Sequence, residues 1–378
     1  MNTYTNAILR LHDYIIEKHW NSQAIEGPMP IGKLNWRITR YVKAYLDWIP
    51  WGDNYKYKQG QGYWIHSNLI LGELFKDRQY LNYGRICADY IIQEQLPNGA
   101  WKYPPLRERR NHINNIEGAW ASLGLIKAYQ YFGKQEYLDA VLKWYNFQIN
   151  EIGFREYKDS LAINFLHELT KTMIPNATTL LLWLVAEIYK TTADEKYLNY
   201  VDQMIRFLEY SQMENGELPY IFNVRPHFQC FQYNSFEFMD LAHYYEINPD
   251  KRIWRILKKS ADYLATGIST YGACCYDCFR EFPEVNYWTA VIAAALRKAQ
   301  DLGLGNYQME SDRAYQRLLT QQRIDGGFGF SRKNYIFLSD QRSYPQQLAM
   351  ILRCLLDKVI NNSTPYLDVN GNAYHESA

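Results

Sequence analysis

Carboxylates, an imidazole and guanidiniums stand close to the starts of apolar runs in this sequence, where they could move protons or hold charge. Glu117 lies in "IEGAWASLGLIKAY" and His66 in "GYWIHSNLILGELF", while Asp277, Arg280 and Glu284 crowd into "CYDCFREFPEVNYW". Two carboxylates held roughly 5–10 Å apart across a sugar ring can hydrolyse a glycosidic bond, one as acid and the other as base or nucleophile. Glu117, Asp277 and Glu284 are the candidates for such a pair. Removing a proton alpha to a carboxylate needs other groups: a base, and a neutral or cationic partner for the enolate. His66, Tyr103 or Tyr287 could be the base, and Asn176, Asn234, Arg280 or Arg342 could stabilise the charge. Asn, Tyr and Arg are more abundant than carboxylates at these positions, which tilts the reading slightly toward uronate chemistry.

The elements that must position these groups repeat. "EQLPNGAWKYP" from Glu94 returns as "SQMENGELPYI" from Ser211 and "QQRIDGGFGFS" from Gln321, with weaker copies around Gly153 and Gly272. Each full copy carries Gln, a turn with Gly and then an aromatic or apolar residue. A spacing of roughly 55–60 residues marks a repeat architecture. Runs such as "KYLNYVDQMIRFLEYSQ" and "IWRILKKSADYLATGI" have one apolar stripe and one charged face, so they predict outer helices with a solvated side. Between them, six runs starting near Gly62, Glu117, Asn176, Asn234, Asn286 and Gln346 are small and apolar nearly all round, as in helices buried on most sides. Six buried helices alternating with exposed ones predict one all-α domain over residues 1–378, an (α/α)6 barrel. Helices at about 4–20 and 35–49, within residues 1–50, would supply the missing outer partner and a brace; residues 362–378 read as an irregular tail.

The turn and helix pattern resembles the α/α toroids over roughly residues 60–360: six-hairpin glycosidases, the helical domain of glucuronyl C5-epimerases, and squalene-cyclase-type terpene cyclases. The nearest likeness is the epimerase domain, where a "dGaW-Y-P" loop precedes a buried helix as "NGAWKYP" precedes "IEGAWASLGLIKAY" here. The resemblance implies an active site at the mouth formed by the N-terminal ends of the inner helices. The mouth would then gather Trp64, Trp101, Lys102, Tyr103, Asn176, Tyr220, Tyr233, Asn234, Asn286, Tyr287 and Arg342 as substrate-binding residues around His66, Glu117, Asp277, Arg280 and Glu284. Convergent polar groups at the mouth of an apolar ring describe a ligand pocket. The plainer reading of any single Asn, Asp or Glu there is a helix cap. Aromatics and arginines arriving with them favour the pocket. The dense stretch "PHFQCFQYNSFEF" from Pro226 is expected to line it through Gln229, Gln232, Tyr233 and Asn234.

Composition narrows the classes further. Lys and Arg number 41 against 40 Asp and Glu, so no global field selects nucleic acid. Aromatics make up 16% of the chain, with 34 Tyr, a supply of flat apolar bodies with polar handles that suits sugar clefts and also suits plain helix packing. Six scattered cysteines are no disulfide framework, and no basic-then-apolar start or long apolar run is found, so a cytoplasmic protein without a membrane span is expected. Cys275 and Cys278 form a C-x-x-C without a second ligand pair, and "FLHELTKT" does not complete H-E-x-x-H, so no metal is expected. Neither GxxxxGK[ST] nor GxGxxG occurs, and no cofactor is expected. The expectation is an enzyme acting on a uronate-bearing glycan or oligosaccharide by elimination, epimerisation or hydrolysis. A non-catalytic glycan-binding or assembly protein is the alternative. A terpene or other small-molecule cyclase is a third, disfavoured because DxDD and DDxxD are absent.

Overall fold

A computed structural model describes residues 2–30, 36–104, 112–167, 172–224 and 231–360. Its inner ring consists of α3 (Lys58–Phe75), α5 (Asn115–Phe132), α7 (Pro175–Thr192), α9 (Phe231–Ile247), α11 (Asn286–Asp301) and α13 (Pro345–Val359). Each packs on the next, and α13 packs back on α3, so the ring is closed. Its outer ring consists of α1 (Thr3–His19), α4 (Arg78–Gln93), α6 (Gln135–Phe147), α8 (Val201–Ser211), α10 (Lys251–Ala265) and α12 (Gln308–Leu319), each against one inner helix. The architecture is an (α/α)6 barrel. α1 is the sixth outer helix and covers α13.

Local chemistry explains the two kinds of helix. α10 turns Ile253, Ile256, Leu257, Ala261 and Leu264 inward and leaves Lys and Arg outside; Asp250 caps it by accepting from the Arg252 amide. An amphipathic stripe of this kind buries one face only. α5 buries residues around most of its circumference, Ala119, Trp120, Leu123 and Leu125 among them, because it is walled by neighbours on several sides.

The repeated turn has a mechanical role. Gln95 donates to the carbonyls of Gly99, in its own turn, and of Ala140 on α6. Gln212 does the same with Gly216 and with Ile256 on α10. Gln322 repeats it with Gly326 and with Ala7 on α1. One amide therefore fastens each turn to the neighbouring outer helix, and the last of the three joins the C-terminal repeat to the N-terminal helix. The glycines have positive φ, and a Cβ at Gly216 would lie 2.1 Å from the Lys259 carbonyl. The weak copy at Gly153 differs: a π-helical turn (Gln148–Ile152) leads into a hairpin of β1 (Phe154–Tyr157) and β2 (Ser160–Ile163) that packs on α8.

Over the mouth lie α2 (Trp36–Tyr45) and a three-stranded antiparallel sheet in the order β3 (Glu284–Val285), β4 (Ser331–Asn334), β5 (Leu338–Asp340). α2 braces β5. Deeper in the ring the axis is filled by rings: Tyr63 stacks on Trp120 at 3.7 Å, Trp120 meets Trp183 edge-on, and Trp183 stacks on His243. Among the described residues no helix is long and apolar enough to cross a membrane. The stretch 362–378 and Gln229 lie outside the described residues.

Candidate functional site

The starts of α9 and α11, the 276–285 loop, α2 and the β4–β5 hairpin enclose a cavity of about 910 Å³ at the mouth. The chain reaches it through local structure. Asp277 accepts from the Phe279 amide and from the Arg280 guanidinium, which closes a tight turn and presents Tyr276 and Arg280 to the cavity. The first turns of α9 and α11 supply Gln232, Tyr233, Tyr287 and Trp288. Phe330 and Lys333 come from the β4 side, and Arg40 and Tyr41 from α2.

Contacts among these groups set the character of the space. Tyr276 stacks on Trp288 at 5.1 Å, and the Arg280 guanidinium lies 5.2 Å from the Tyr276 ring centre. The Tyr287 hydroxyl donates to the Gln232 amide oxygen at 3.5 Å. Arg40 pairs with buried Asp340 at 3.1 Å and lies 5.5 Å from the Phe330 ring centre. Among the described residues the lining holds Arg40, Arg280 and Lys333 and no carboxylate or histidine. Arginine over an aromatic face is attracted by the ring quadrupole, and here each guanidinium is also held by a buried carboxylate, Arg280 by Asp277 and Arg40 by Asp340.

Of the residues singled out in the sequence, Tyr233, Tyr287 and Arg280 line this cavity, as does Gln232. Tyr220 lies against Tyr233, ring centres 4.5 Å apart. The other candidates stand elsewhere. Glu284 is buried at the start of β3 and receives a two-pronged pair from Arg317 of α12, at 2.7 and 2.8 Å. Glu117 is buried between α3 and α5 and accepts from the Lys58 and Gln59 amides; burial pushes its carboxyl up to about 7. Asp277 is buried under its turn. His66 lies deep in the ring, where its Nε2 donates to the Leu123 carbonyl and burial pushes the imidazole down to about 3. An imidazole held so low is a poor proton acceptor for a substrate.

The amides at the helix starts act as clips. Asn234 both accepts from and donates to the Leu218 backbone, and Asn286 donates to the Gly329 carbonyl. Gln61 pairs in the same two-way fashion with Ile25. Each clip ties an inner helix to an extended segment of a loop. Asn176 is partly buried on the first turn of α7. Trp64 faces α1, stacked on His12, and Trp101 donates to the Ile91 carbonyl inside the wall. Lys102 is exposed, Tyr103 meets Tyr57 edge-on, and Arg342 pairs with Asp53 at 2.8 Å. Glu117, Asp277 and Glu284 thus do not meet in one pocket. Among the described residues no group of three or more His, Cys, Asp or Glu is placed to hold a metal ion, and burial raises the Cys275 thiol to about 11.

Arg40, Tyr41, Tyr276, Trp288, Phe330 and Lys333 are cavity residues that the helical repeat did not point to. Tyr276, Trp288 and Lys333 lie in the aromatic and basic stretches "CYDCFREFPEVNYW" and "SRKNYIF"; Arg40, Tyr41 and Phe330 lie in neither.

A pectic acid lyase family profile matches residues 155–246, from β1 to α9, which is less than half of the chain. No curated protein sequence matches. Among solved structures, a cellobiose 2-epimerase from Bacillus thermoamylovorans is similar with a TM-score of 0.73 at 12% identity, over 95% of this chain and 100% of that one. A possible member of the GH105 family from Salmonella enterica is similar with a TM-score of 0.68 at 13% identity, over 95% and 94% of the two chains. A D-mannose isomerase is similar with a TM-score of 0.69 at 12% identity, over 94% and 97%. What this chain shares with all three is the fold, the six-hairpin (α/α)6 toroid.

Proposed function

We propose that the mouth cavity binds a uronate-bearing oligosaccharide and that the protein acts on it by elimination or epimerisation at the carbon bearing the carboxylate. The carrying observation is the lining, which among the described residues holds stacked aromatics and three cations and no carboxylate. Aromatic faces suit the C–H side of sugar rings, and cations suit an acidic one. Hydrolysis would need a carboxylate pair, and the described lining residues include none. The matched pectic acid lyase profile supports the same substrate class.

In this reading Arg280, exposed at the rim and braced by Asp277 and Tyr276, takes the substrate carboxylate and disperses the charge that develops on it. Tyr287, in its deprotonated form, removes the alpha proton; its oxygen lies 3.5 Å from Gln232. In elimination the C5–H and C4–O bonds break, the C4=C5 bond forms, and the leaving oxygen takes up a proton. In epimerisation a proton from solvent adds to C5 on the opposite face, and the proton removed is left on Tyr287.

The test is incubation with oligogalacturonates and with neutral oligosaccharides in D₂O. A rise in ultraviolet absorbance from the new double bond, or deuterium at C5, supports the reading. Neither signal, together with no thermal stabilisation by any uronate, overturns it. Thermal stabilisation without either signal favours glycan binding without catalysis.

A further inference from the structure

The β4–β5 hairpin separates the mouth cavity from a second one of about 320 Å³. Ser331, Lys333 and Ile336 line both, so the two spaces are neighbours across a single hairpin. We propose that the smaller cavity is a second subsite for an acidic sugar residue, so that the protein takes a chain of uronate units laid across the hairpin. The inference rests on the uronate reading of the mouth cavity.

Charge is the first support. Arg323, Arg332 and Lys333 line the small cavity, against one carboxylate, Asp340. Asp340 is already engaged, by Arg40 at 3.1 Å and by the Tyr344 hydroxyl at 2.8 Å. Arg332 lies 3.6 Å from Glu284, but Arg317 holds that carboxylate with two closer contacts. Lys333 has no carboxylate partner among the described residues; its ammonium rests over the Phe282 ring at 4.1 Å and over the Tyr271 ring at 5.0 Å. Arg323 is itself paired with Asp325 at 3.0 Å, so an anion entering the space meets chiefly Arg332 and Lys333.

Shape and hydrogen bonding are the second. The tip of the hairpin gives an apolar wall, Ile336 and Phe337, opposite the amides of Gln321 and Gln341. One apolar side and one side of donors and acceptors suit a sugar ring. Asn286, also in the lining, uses its Nδ2 on the Gly329 carbonyl, and its buried Oδ1 has no donor among the described residues. A buried acceptor without a donor is unfavourable, which a ligand hydroxyl relieves.

The hairpin itself is the third. Lys333, Tyr335 and Ile336 all have positive φ, and Tyr335, Ile336 and Phe337 are exposed. Non-glycine residues in that region are disfavoured by sterics, and such residues gather at ligand clamps. Here the bend puts the Lys333 side chain where both cavities meet.

The experiment compares dissociation constants for galacturonic acid and for its di-, tri- and hexasaccharides, on the wild type, on Arg332→Gln and on Ser339→Trp. Ser339 lines only the smaller cavity, so the Trp fills it without touching the charges, and Arg332 is absent from the mouth lining. The wild type should bind the longer chains at least about tenfold more tightly than the single sugar, and each variant should lose most of that gain. Binding of the single sugar should stay within about twofold in both. Full chain-length gain in variants that melt like the wild type overturns the second subsite and leaves the mouth reading intact. No binding of any uronate by the wild type overturns the mouth reading itself. If Arg332→Gln lowers the melting temperature, Ser339→Trp decides alone.

Discussion

Glu117 shows how one carboxylate at a helix start can look catalytic and be structural. It receives the first amides of α3 across the helix–helix gap, and burial raises its carboxyl from 4.5 to about 7. A raised folded-state pKa means that the stabilisation is fully present below the unfolded value and is lost as pH rises through about 7. Buried Glu237 and Asp240 are held high as well and act in the same direction. Glu117→Gln should therefore flatten, without abolishing, the fall in stability between pH 4.5 and about 7, by on the order of 3 kcal/mol. Denaturant titrations of both proteins across that range check it, and equal pH slopes would remove Glu117 as a source. At the cavity, Tyr287→Phe should reduce turnover about 100-fold with little change in uronate affinity, and Arg280→Ala should weaken uronate binding about tenfold while sparing neutral sugars. Kinetics and binding measured side by side separate the two roles. Residue types alone could not tell Glu284 from a catalytic acid. Its partner Arg317 lies on an outer helix 33 residues away, and nothing in the local sequence announces the pairing. Tyr233, Tyr287 and Arg280 were readable because they combine a helix start, or the loop before one, with aromatic and basic neighbours.

Among the elements, the turns were the most legible, since a Gly with positive φ pressed against a carbonyl tolerates no other residue. What they do was hidden. Gln95 and Gln212 find their second acceptors 45 and 44 residues on, in helices that the sequence does not place side by side. Gln212→Ala removes donors to two carbonyls and to the Ser260 hydroxyl, and should destabilise the fold by about 1–3 kcal/mol. Gly216→Ala, with φ at 94° and a Cβ 2.1 Å from an oxygen, should lose about 2–4 kcal/mol. Chemical denaturation measures both, and a neutral Gly216→Ala would contradict the clamp. α2 was expected as a brace at about 35–49 but not as part of the mouth, and the β4–β5 hairpin lies outside the helical period because it belongs to neither ring. They nevertheless supply much of the cavity wall, which is why Arg40 and Lys333 were missed.

For the whole molecule, the closed ring makes the N-terminal helix part of the core. Ile8, Leu11 and Ile15 of α1 are fully buried. Leu11→Ala should cost about 2–5 kcal/mol, like a central core position. Ile324→Ala, at a residue 99% exposed, should stay within about 0.5 kcal/mol. Melting curves of the two variants form the comparison, and a mild Leu11→Ala would mean that α1 is only loosely attached. The ring also imposes an order of events during synthesis. Gln322 clasps Ala7 across 315 residues, and α13, which α1 covers, ends near residue 360. At about 5–20 residues per second the ribosome needs roughly 15–60 s between making the first helix and making what it seals against. For that interval α1 can already meet α3, through His12 and Trp64, but the face that α13 covers stays open on the growing chain.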